Sequence, residues 1–400
     1  MISIYTYFFP PKLSPGSFRS FELVKSLIYS YSGKKLPVTV FTARPLSERK
    51  ESKFKLRLNK SVNVVNIWVP FSNESILKNI LNALVYFFSC WMISKNYKPK
   101  IIFGTSGRFA TNFTASVIAI KSSTPFILDV RDLFHLNLRE IILRKYFIIK
   151  DFIFWFFLKL EKYFFSRALF INVVSEGFLQ FYKKQGFNTQ NWTFFPNGID
   201  DLFLREFENY QPLGQKKKIK YILYAGNLGE GQGIEKMIVS LSKNLPKNWV
   251  FKIFGKGKYY RNIKKLIQKF SLNNIQISKQ IERHKLMYWY KNSDILLISL
   301  NNYNCLEHVI PSKFFELAVV GKPIIAGVNG YAKNFMKKNI SNIYFFPPLN
   351  VRILINKINQ VTNTKYSDQL NDLKKSNFIK NYKRDFILNK FSIRILKYLN

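Results

Sequence analysis

A glycine-rich segment at residues 224–233 has the composition of a turn that holds an anionic ligand. Its sequence, YAGNLGEGQG, follows an apolar run typical of a strand and precedes a run with helical spacing. Glycine lets the backbone approach a ligand closely, and the start of a helix presents N–H groups to an anion. The segment predicts either a phosphate-binding turn or a tight structural turn. Its candidate substrate contacts are Gly226, Asn227, Gly229 and Gln232.

A second segment, HVIPSKFFE at residues 308–316, combines a helix start with charged side chains. Pro311 suits the beginning of a helix, so Lys313 falls in the first turn, where a cation disfavours the helix. A phosphate in front of the helix would reverse that effect, which makes Lys313 a candidate phosphate ligand. Glu316 lies about one turn further on, either as an acceptor for ribose hydroxyls or as a solvated carboxylate.

The first half of the chain offers two weaker candidates. Asp129, Arg131 and Asp132 follow a buried strand, and a charged group at that position predicts a site or a salt-bridged structural corner. Gly16 and Ser17 follow the first strand and its Pro10-Pro11 stop, where glycine again permits close approach to a ligand.

Short apolar strands separated by helices run through both halves and predict two mainly parallel, doubly wound α/β units. A polar stretch at residues 211–220, with proline, glycine and a lysine run, reads as the linker. We therefore expect an N-terminal domain over residues 1–210 and a C-terminal domain over residues 211–382. Ligands in such sheets bind beyond the carboxyl ends of the strands.

Among the 400 residues, Lys and Arg outnumber Asp and Glu by 63 to 23, a net charge of +40. This surplus predicts a polyanionic partner, namely nucleic acid, an anionic membrane face or a phosphorylated substrate, unless it is compositional drift. The 47% hydrophobic content excludes a disordered basic tail, and two cysteines exclude a disulfide framework and favour the reducing cytoplasm. The lysines are spread through the chain without a recognisable nucleic-acid module, which disfavours nucleic acid.

Two segments, residues 76–92 and 143–165, are apolar nearly all round at helical spacing. Neither offers ~20 uninterrupted apolar residues, so a spanning helix is not expected. Each is either a buried core helix or a helix pressed into an anionic bilayer surface.

Taken in order, the motifs PPKLSPGS, PNGID, AGNLGEGQG and PSKFFELAVVGKPIIA, followed by KRDF at residues 383–386, resemble a retaining glycosyltransferase of the GT-B fold. The set is similar to glycosyltransferase family 4, and its PSKFFE form resembles a bacterial subgroup that builds O-antigen and capsule polysaccharides. The resemblance implies two Rossmann-like domains facing a central cleft, the first binding the acceptor and the second the nucleotide sugar. It also implies a final helix, residues 383–400, that crosses back to the N-terminal domain.

The resemblance gives the candidate residues their roles, with several departures from the family pattern. Glu316 matches the second of two glutamates spaced eight positions apart, whereas His308 occupies the position of the first. Asn227 and Gln232 stand where relatives often carry Arg and Lys, which leaves Lys313 as the leading ligand of the donor diphosphate. We assign catalytic roles to Asp129, Asp132 and Lys313, and substrate binding to Gly16, Ser17, Arg131, Gly226, Asn227, Gly229, Gln232, His308, Pro311, Ser312, Glu316 and Gly330.

The implied activity is transfer of a sugar, with retention, from a nucleotide-diphosphate sugar to a lipid-diphosphate-linked saccharide. We expect no metal, no cofactor and no nucleic acid, and a cytoplasmic protein peripheral on the inner face of the cell membrane. One alternative is a nucleotide-sugar 2-epimerase, which shares the architecture. Another is a non-catalytic basic protein that binds a membrane or nucleic acid.

Overall fold

The computed structural model describes residues 1–10, 15–31, 36–51, 61–72, 75–105, 109–142, 147–207, 210, 218–363 and 368–399. Parts of three predicted features fall outside these residues: 11–14 in the proline-rich loop, 143–146 in the second apolar helix, and 211–217 in the linker. The chain forms two compact units, Met1–Asn197 with Asp385–Asn400, and Gly198–Arg384. Residues 198–210 thus belong to the second unit, and the end of the chain belongs to the first.

The first unit is built on a parallel sheet whose strands are fully buried except for the two edge strands. Its seven strands have the spatial order β3-β2-β1-β4-β5-β6-β7, so the direction of winding reverses between β1 and β4. The strands are β1 (Ile2–Thr6), β2 (Val38–Pro45), β3 (Val62–Val69), β4 (Ile101–Thr105), β5 (Phe126–Val130), β6 (Phe170–Val173) and β7 (Trp192–Phe194).

Helices cover both faces of this sheet, as right-handed crossovers between parallel strands require. Leu46–Glu51 forms a 3-10 helix and Leu138–Ile142 a π-helical turn. The α-helices are α1 (Pro15–Ser30), α2 (Ile76–Ser94), α3 (Phe109–Lys121), α4 (Phe134–Asn137), α5 (Phe147–Phe165) and α6 (Glu176–Lys184).

The end of the chain completes the core on one face of the first sheet. Leu388, Phe391 and Ile395 are buried in one cluster with the strands and with Leu23 and Leu27 of α1. The Phe391 ring stacks on Phe195 at 4.9 Å between centroids. The hydrophobic area that this segment buries is what holds it on the first unit.

The second unit repeats the architecture with a parallel sheet of six strands in the order β10-β9-β8-β11-β12-β13. The winding reverses between β8 and β11. The strands are β8 (Lys220–Asn227), β9 (Trp249–Lys256), β10 (Ile275–Ser278), β11 (Ile295–Ser299), β12 (Ile324–Gly327) and β13 (Ile343–Phe346).

The helices that follow these strands supply the rest of the second core. A 3-10 helix spans Asn304–His308. The α-helices are α7 (Asp201–Phe207), α8 (Ile234–Asn244), α9 (Tyr260–Lys269), α10 (Arg283–Asn292), α11 (Ser312–Val320), α12 (Gly330–Asn339), α13 (Val351–Asn363), α14 (Asp368–Tyr382) and α15 (Arg384–Leu396), the last belonging almost entirely to the first unit.

The chain passes from one unit to the other after Asn197 and again after Arg384, and the residues next to these two points are bonded to each other within the second unit. Ile199 forms a parallel bridge with Lys383, in which the Ile199 N–H donates to the Tyr382 carbonyl at 2.7 Å. Asp200 pairs with Arg384 at 2.6 Å and with Arg283 at 3.0 Å. Burial disfavours the Asp200 carboxylate, but the two guanidinium groups outweigh it and lower its pKa. The last two residues of the PNGID motif, Ile199 and Asp200, therefore bind the segment at residues 382–384.

The predicted α/β architecture of two Rossmann-like, doubly wound units is confirmed. As far as the structure describes them, both apolar segments are helices, and the strand before the glycine-rich turn ends at Asn227.

Candidate functional site

The second unit brings the glycine-rich turn and the α11 segment to the same edge of its sheet. β8 and β11 are hydrogen-bonded neighbours, and their carboxyl ends lead into the turn at residues 228–233 and into residues 300–311. This is the point where the strand order reverses, and ligands of open α/β sheets bind at such a point. The two strongest sequence candidates therefore share one edge.

The glycine-rich turn is held in shape by its own amides. The Gln232 Oε1 atom accepts hydrogen bonds from Asn227 Nδ2 at 3.1 Å and from the Gly229 N–H at 3.2 Å. The Tyr224 hydroxyl donates to the Asn227 carbonyl at 2.5 Å. Asn227 and Gln232, both predicted to contact the substrate, therefore bind each other in this structure.

The end of β11 fixes the far side of the turn. Asn301 donates from Nδ2 to the Glu230 carbonyl at 2.7 Å and from its N–H to the Gly231 carbonyl at 2.8 Å. Ser299 donates to the Gln232 carbonyl at 2.8 Å. The sequence pattern does not single out Ser299 or Asn301, although polar residues directly after an apolar strand were the available signal.

Glu230 is also not predicted as a site residue, and it is the charged group at the centre of the turn. It accepts hydrogen bonds from the hydroxyls of Tyr259 and Tyr303, the latter at 2.6 Å, and lies 3.4 Å from Lys236 Nζ. The hydrogen bond from Tyr259 is the main reason that the pKa of Glu230 is lowered, and Glu230 in turn raises the pKa of Tyr259. The acid thus stays ionised and orients two phenols beside the glycines.

The strand ends at the turn approach more closely than any side chain would allow. Gly226 of β8 pairs in register with Gly255 of β9. A Cβ atom on Gly255 would lie 2.3 Å from the Gly226 carbonyl oxygen, so the residue must be glycine for the strands to meet. This contact sets the position of Gly226.

Lys313 and Glu316 pair across the first turns of α11. The Lys313 Nζ atom lies 2.6 Å from Glu316 Oε2, and both side chains are partly buried. Burial alone would lower the pKa of Lys313, but Tyr290 and Glu316 outweigh it and raise the pKa, so the lysine remains a cation at neutral pH. Burial raises the pKa of Tyr290 to about 12. The two residues to which the sequence assigns separate roles form one ion pair.

The remaining candidates of the second unit surround the start of α11. His308 ends the 3-10 helix, Pro311 is the N-cap of α11, and Ser312 is its exposed first residue. Gly330 has a φ of +59°, and a Cβ there would lie 2.5 Å from Glu307 Cβ. Gly330 therefore allows α12 to pack against the 3-10 helix that carries His308.

In the first unit, Asp129 is built into a buried network. It is 1% exposed and forms a two-pronged pair with Arg19, with both N···O distances at 3.1 Å. Thr105 and Asn172 also donate to it, at 3.0 and 2.6 Å. Burial would raise its pKa, yet Arg19 lowers it below the usual range. Asp129 therefore acts in this structure as a structural corner, which is one of the two interpretations of its motif.

Asp132 differs from Asp129 because it is exposed as a residue. Desolvation of its carboxyl raises its pKa to about 6, while the adjacent half-buried Arg131 acts in the opposite direction. Gly16 and Ser17 lie in the first turn of α1, where Ser17 is fully buried. Of these candidates, Asp132 is the one whose position suits contact with a substrate. Within the described ranges, His, Cys, Asp and Glu form no group of three that could hold a metal ion.

Comparison with known proteins finds similarity to glycosyltransferases, and the family match lies almost entirely in the second unit. Residues 206–384 match the family model for glycosyl transferases group 1. A 171-residue stretch is 26% identical to WcaI of Escherichia coli (strain K12), assigned as a glycosyl transferase of colanic acid biosynthesis, and covers 41% of each chain. The match thus spans about two fifths of that relative's length.

Solved structures resemble the whole chain in fold. Sucrose-phosphate synthase from Thermosynechococcus elongatus superposes with a TM-score of 0.74 at 12% identity, over 100% of this chain and 98% of that one. The lipopolysaccharide outer core galactosyltransferase WaaB gives 0.63 at 14% identity, over 99% of both chains. Anabaena HepE in complex with UDP and glucose gives 0.66 at 12% identity, also over 99% of both. The predicted GT-B fold is confirmed.

Proposed function

We propose that the protein is a retaining glycosyltransferase that moves a sugar from a nucleotide-diphosphate sugar to a lipid-linked saccharide. The supporting observation is that residues 206–384, which match the group 1 family, include both the glycine-rich turn and α11. These two features meet at the edge of the sheet where a doubly wound unit binds its ligand. HepE, whose fold is similar, has been solved with UDP-glucose, and a uridine diphosphate sugar is the first donor to test.

The ion pair on α11 supports binding of the donor phosphates at the start of that helix. Lys313, whose pKa is raised, lies in the first turn beside the N–H groups that begin the helix, and these groups attract an anion. A bound diphosphate competes with Glu316 for Lys313. The freed Glu316 carboxylate then accepts hydrogen bonds from the ribose hydroxyls.

The chemical step needs charge stabilisation on the departing diphosphate more than it needs a strong protein base. Lys313 and the start of α11 stabilise the negative charge that grows as the glycosidic bond breaks. In our proposal the leaving phosphate accepts the acceptor's proton on the same face of the sugar, and the configuration is retained. Asp132 orients the acceptor hydroxyl, while Asp129 acts indirectly by holding Arg19.

The polysaccharide context rests on two relatives. WcaI is assigned to colanic acid biosynthesis and WaaB to the lipopolysaccharide outer core. Both names refer to bacterial surface saccharides, which supports an O-antigen or capsule acceptor on a lipid carrier. Such an acceptor would place the enzyme on the inner face of the cell membrane.

Substitutions in the α11 ion pair test this proposal. We expect Lys313→Ala and Glu316→Ala each to lower sugar transfer by ~10²-fold, because each removes a group that contacts the donor. Lys333→Ala is the matched control, since Lys333 is an exposed lysine on the neighbouring helix α12. Release of the nucleoside diphosphate is the readout, and thermal unfolding verifies that each variant folds. Near-wild-type transfer by both α11 variants would contradict the proposed site.

A further inference from the structure

The outward face of α2 is apolar and exposed along its whole length. Leu77 is 79% exposed and Met92 is 69% exposed. A helix on the surface of a globular protein normally turns its polar face outward. The exposed apolar side chains of this stripe are Leu77, Ile80, Leu81, Leu84, Phe88 and Met92.

The opposite face holds α2 flat against the first unit. The Tyr86 hydroxyl donates to the Phe41 carbonyl at 3.0 Å, and Asn82 exchanges two hydrogen bonds with the backbone of Phe71. Cys90 is buried on the same side. By length and hydropathy the stretch Leu77–Ser94 could cross a bilayer, but its contacts hold it along the protein surface.

Helix α5 presents a second exposed apolar face. Phe152 is 74% exposed, in a helix that places its aromatic residues on the outside as well as the inside. Both acidic residues of α5 have partners within the protein. Asp151 pairs with Arg139 at 2.6 Å, and Glu161 lies 2.9 Å from buried His135. The exposed side chains here are Ile149, Phe152, Trp155, Phe156 and Tyr163.

The two helices flank α3 and belong to one side of the first sheet. The Phe113 ring of α3 contacts Phe87 of α2 at 5.4 Å and Phe164 of α5 at 5.7 Å. Most of α3 is buried, because α2 and α5 lie on either side of it. We call the exposed apolar side chains of α2 and α5 together the apolar face.

Exposed lysines border the apolar face. Lys95 and Lys98 follow the end of α2, and Lys159 and Lys162 lie on α5. No acidic residue occurs from position 76 to position 100. Phe, Trp and Tyr beside basic side chains are the composition of helices that lie in the interface of an anionic bilayer.

We propose that the apolar face docks the first unit on an anionic lipid bilayer. The aromatic and aliphatic side chains enter the interface, and the bordering lysines contact lipid phosphates. A second copy of the chain fits this face poorly, because two copies would bring their lysine borders together and each carries a net charge of +40. Docking on a bilayer is independent of glycosyl transfer.

Vesicle co-sedimentation of the full chain tests the apolar contribution. We expect binding to vesicles of phosphatidylcholine with phosphatidylglycerol at low salt. The triple variant Leu77→Ser, Leu84→Ser, Phe88→Ser should weaken this binding by ~10-fold or more, because the side chains that enter the bilayer are lost. The matched control replaces Tyr29, Leu373 and Ile393 by serine, since these exposed apolar residues lie on α1, α14 and α15.

Charge reversal tests the lipid specificity. The triple variant Lys95→Glu, Lys98→Glu, Lys159→Glu should bind anionic vesicles ~10-fold or more weakly than the wild type. Added salt should weaken the remaining binding of this variant less than it weakens wild-type binding. The control reverses three exposed lysines of the second unit, Lys247, Lys264 and Lys265, with the same change in net charge.

The proposal would be overturned if the wild type did not bind anionic vesicles, or if the test and control variants lost equal amounts of vesicle binding. It would also be overturned if the wild type were a dimer and the Leu77→Ser, Leu84→Ser, Phe88→Ser variant became a monomer with unchanged lipid binding. The dimer result would assign the face to a second copy. UDP-induced thermal stabilisation of the same variants is measured in parallel. Unchanged stabilisation with lost vesicle binding separates the docking surface from the donor site.

Discussion

At the scale of single residues, the acids that follow β5 illustrate what sequence can and cannot provide. Asp129 and Asp132 stand three positions apart in one motif, yet one is buried in a network and the other is exposed. The partner of Asp129 is Arg19, 110 positions earlier, and such a pairing leaves no local pattern. The sequence identifies the charged corner, but only the fold separates the two roles.

The Asp129 network makes a prediction about stability. Asp129→Asn leaves the Arg19 guanidinium buried without its countercharge, which we expect to destabilise the first unit by ~3–5 kcal/mol. The folded-state pKa of Asp129 is lowered, so its contribution is present above the unfolded pKa of about 3.9 and is lost as the pH falls through the folded value. The deficit of the variant should therefore be largest near neutral pH and shrink below pH ~4.

Thermal unfolding as a function of pH measures this deficit. Asp132→Asn is the control, because Asp132 is exposed as a residue and its replacement leaves the buried Arg19–Asp129 pair intact. Equal stability losses in the two variants, or a deficit that does not depend on pH, would contradict the structural role given to Asp129.

At the scale of elements, apolar runs and glycines are enough to place the strands and the turn, because these depend on local composition. The predicted strand before the glycine-rich turn is β8, and the predicted start of α11 at Pro311 is also found. The hydrogen bonds from Ser299 and Asn301 are not predictable in this way. They depend on β8 and β11 being neighbours in the sheet, although about seventy positions separate them in the chain.

The pairing of β8 with β9 gives a prediction at this scale. Gly255→Ala places a Cβ 2.3 Å from the Gly226 carbonyl oxygen, so the strand ends must separate and the glycine-rich turn must move. We expect a loss of ~1–3 kcal/mol in stability and weaker UDP binding. Gly231→Ala is the matched control, because its Cβ would meet nothing closer than a Leu306 methyl group at 3.9 Å. Thermal unfolding with and without UDP provides both readouts, and equal behaviour of the two variants would refute this account of the turn.

At the scale of the whole molecule, two parallel sheets and a chain end that belongs to the first unit make up the architecture, and the fold is similar to that of WaaB over 99% of both chains. The sequence predicts the two units because the strand and helix pattern restarts after residue 210. It does not predict where the +40 charge matters, since lysines occur throughout the chain. In the structure, a few lysines lie beside the exposed apolar side chains of α2 and α5, and these are the basic residues that we propose to contact a bilayer.

Product analysis with the purified chain, a panel of nucleotide sugars and lipid-linked saccharide acceptors tests sugar transfer with retention most directly. We predict that one donor releases its nucleoside diphosphate only when an acceptor is present. The new glycosidic bond should keep the anomeric configuration of the donor, as read from its NMR coupling constant. Conversion of a nucleotide sugar without any acceptor would indicate an epimerase instead, and an inverted linkage would contradict the retaining mechanism.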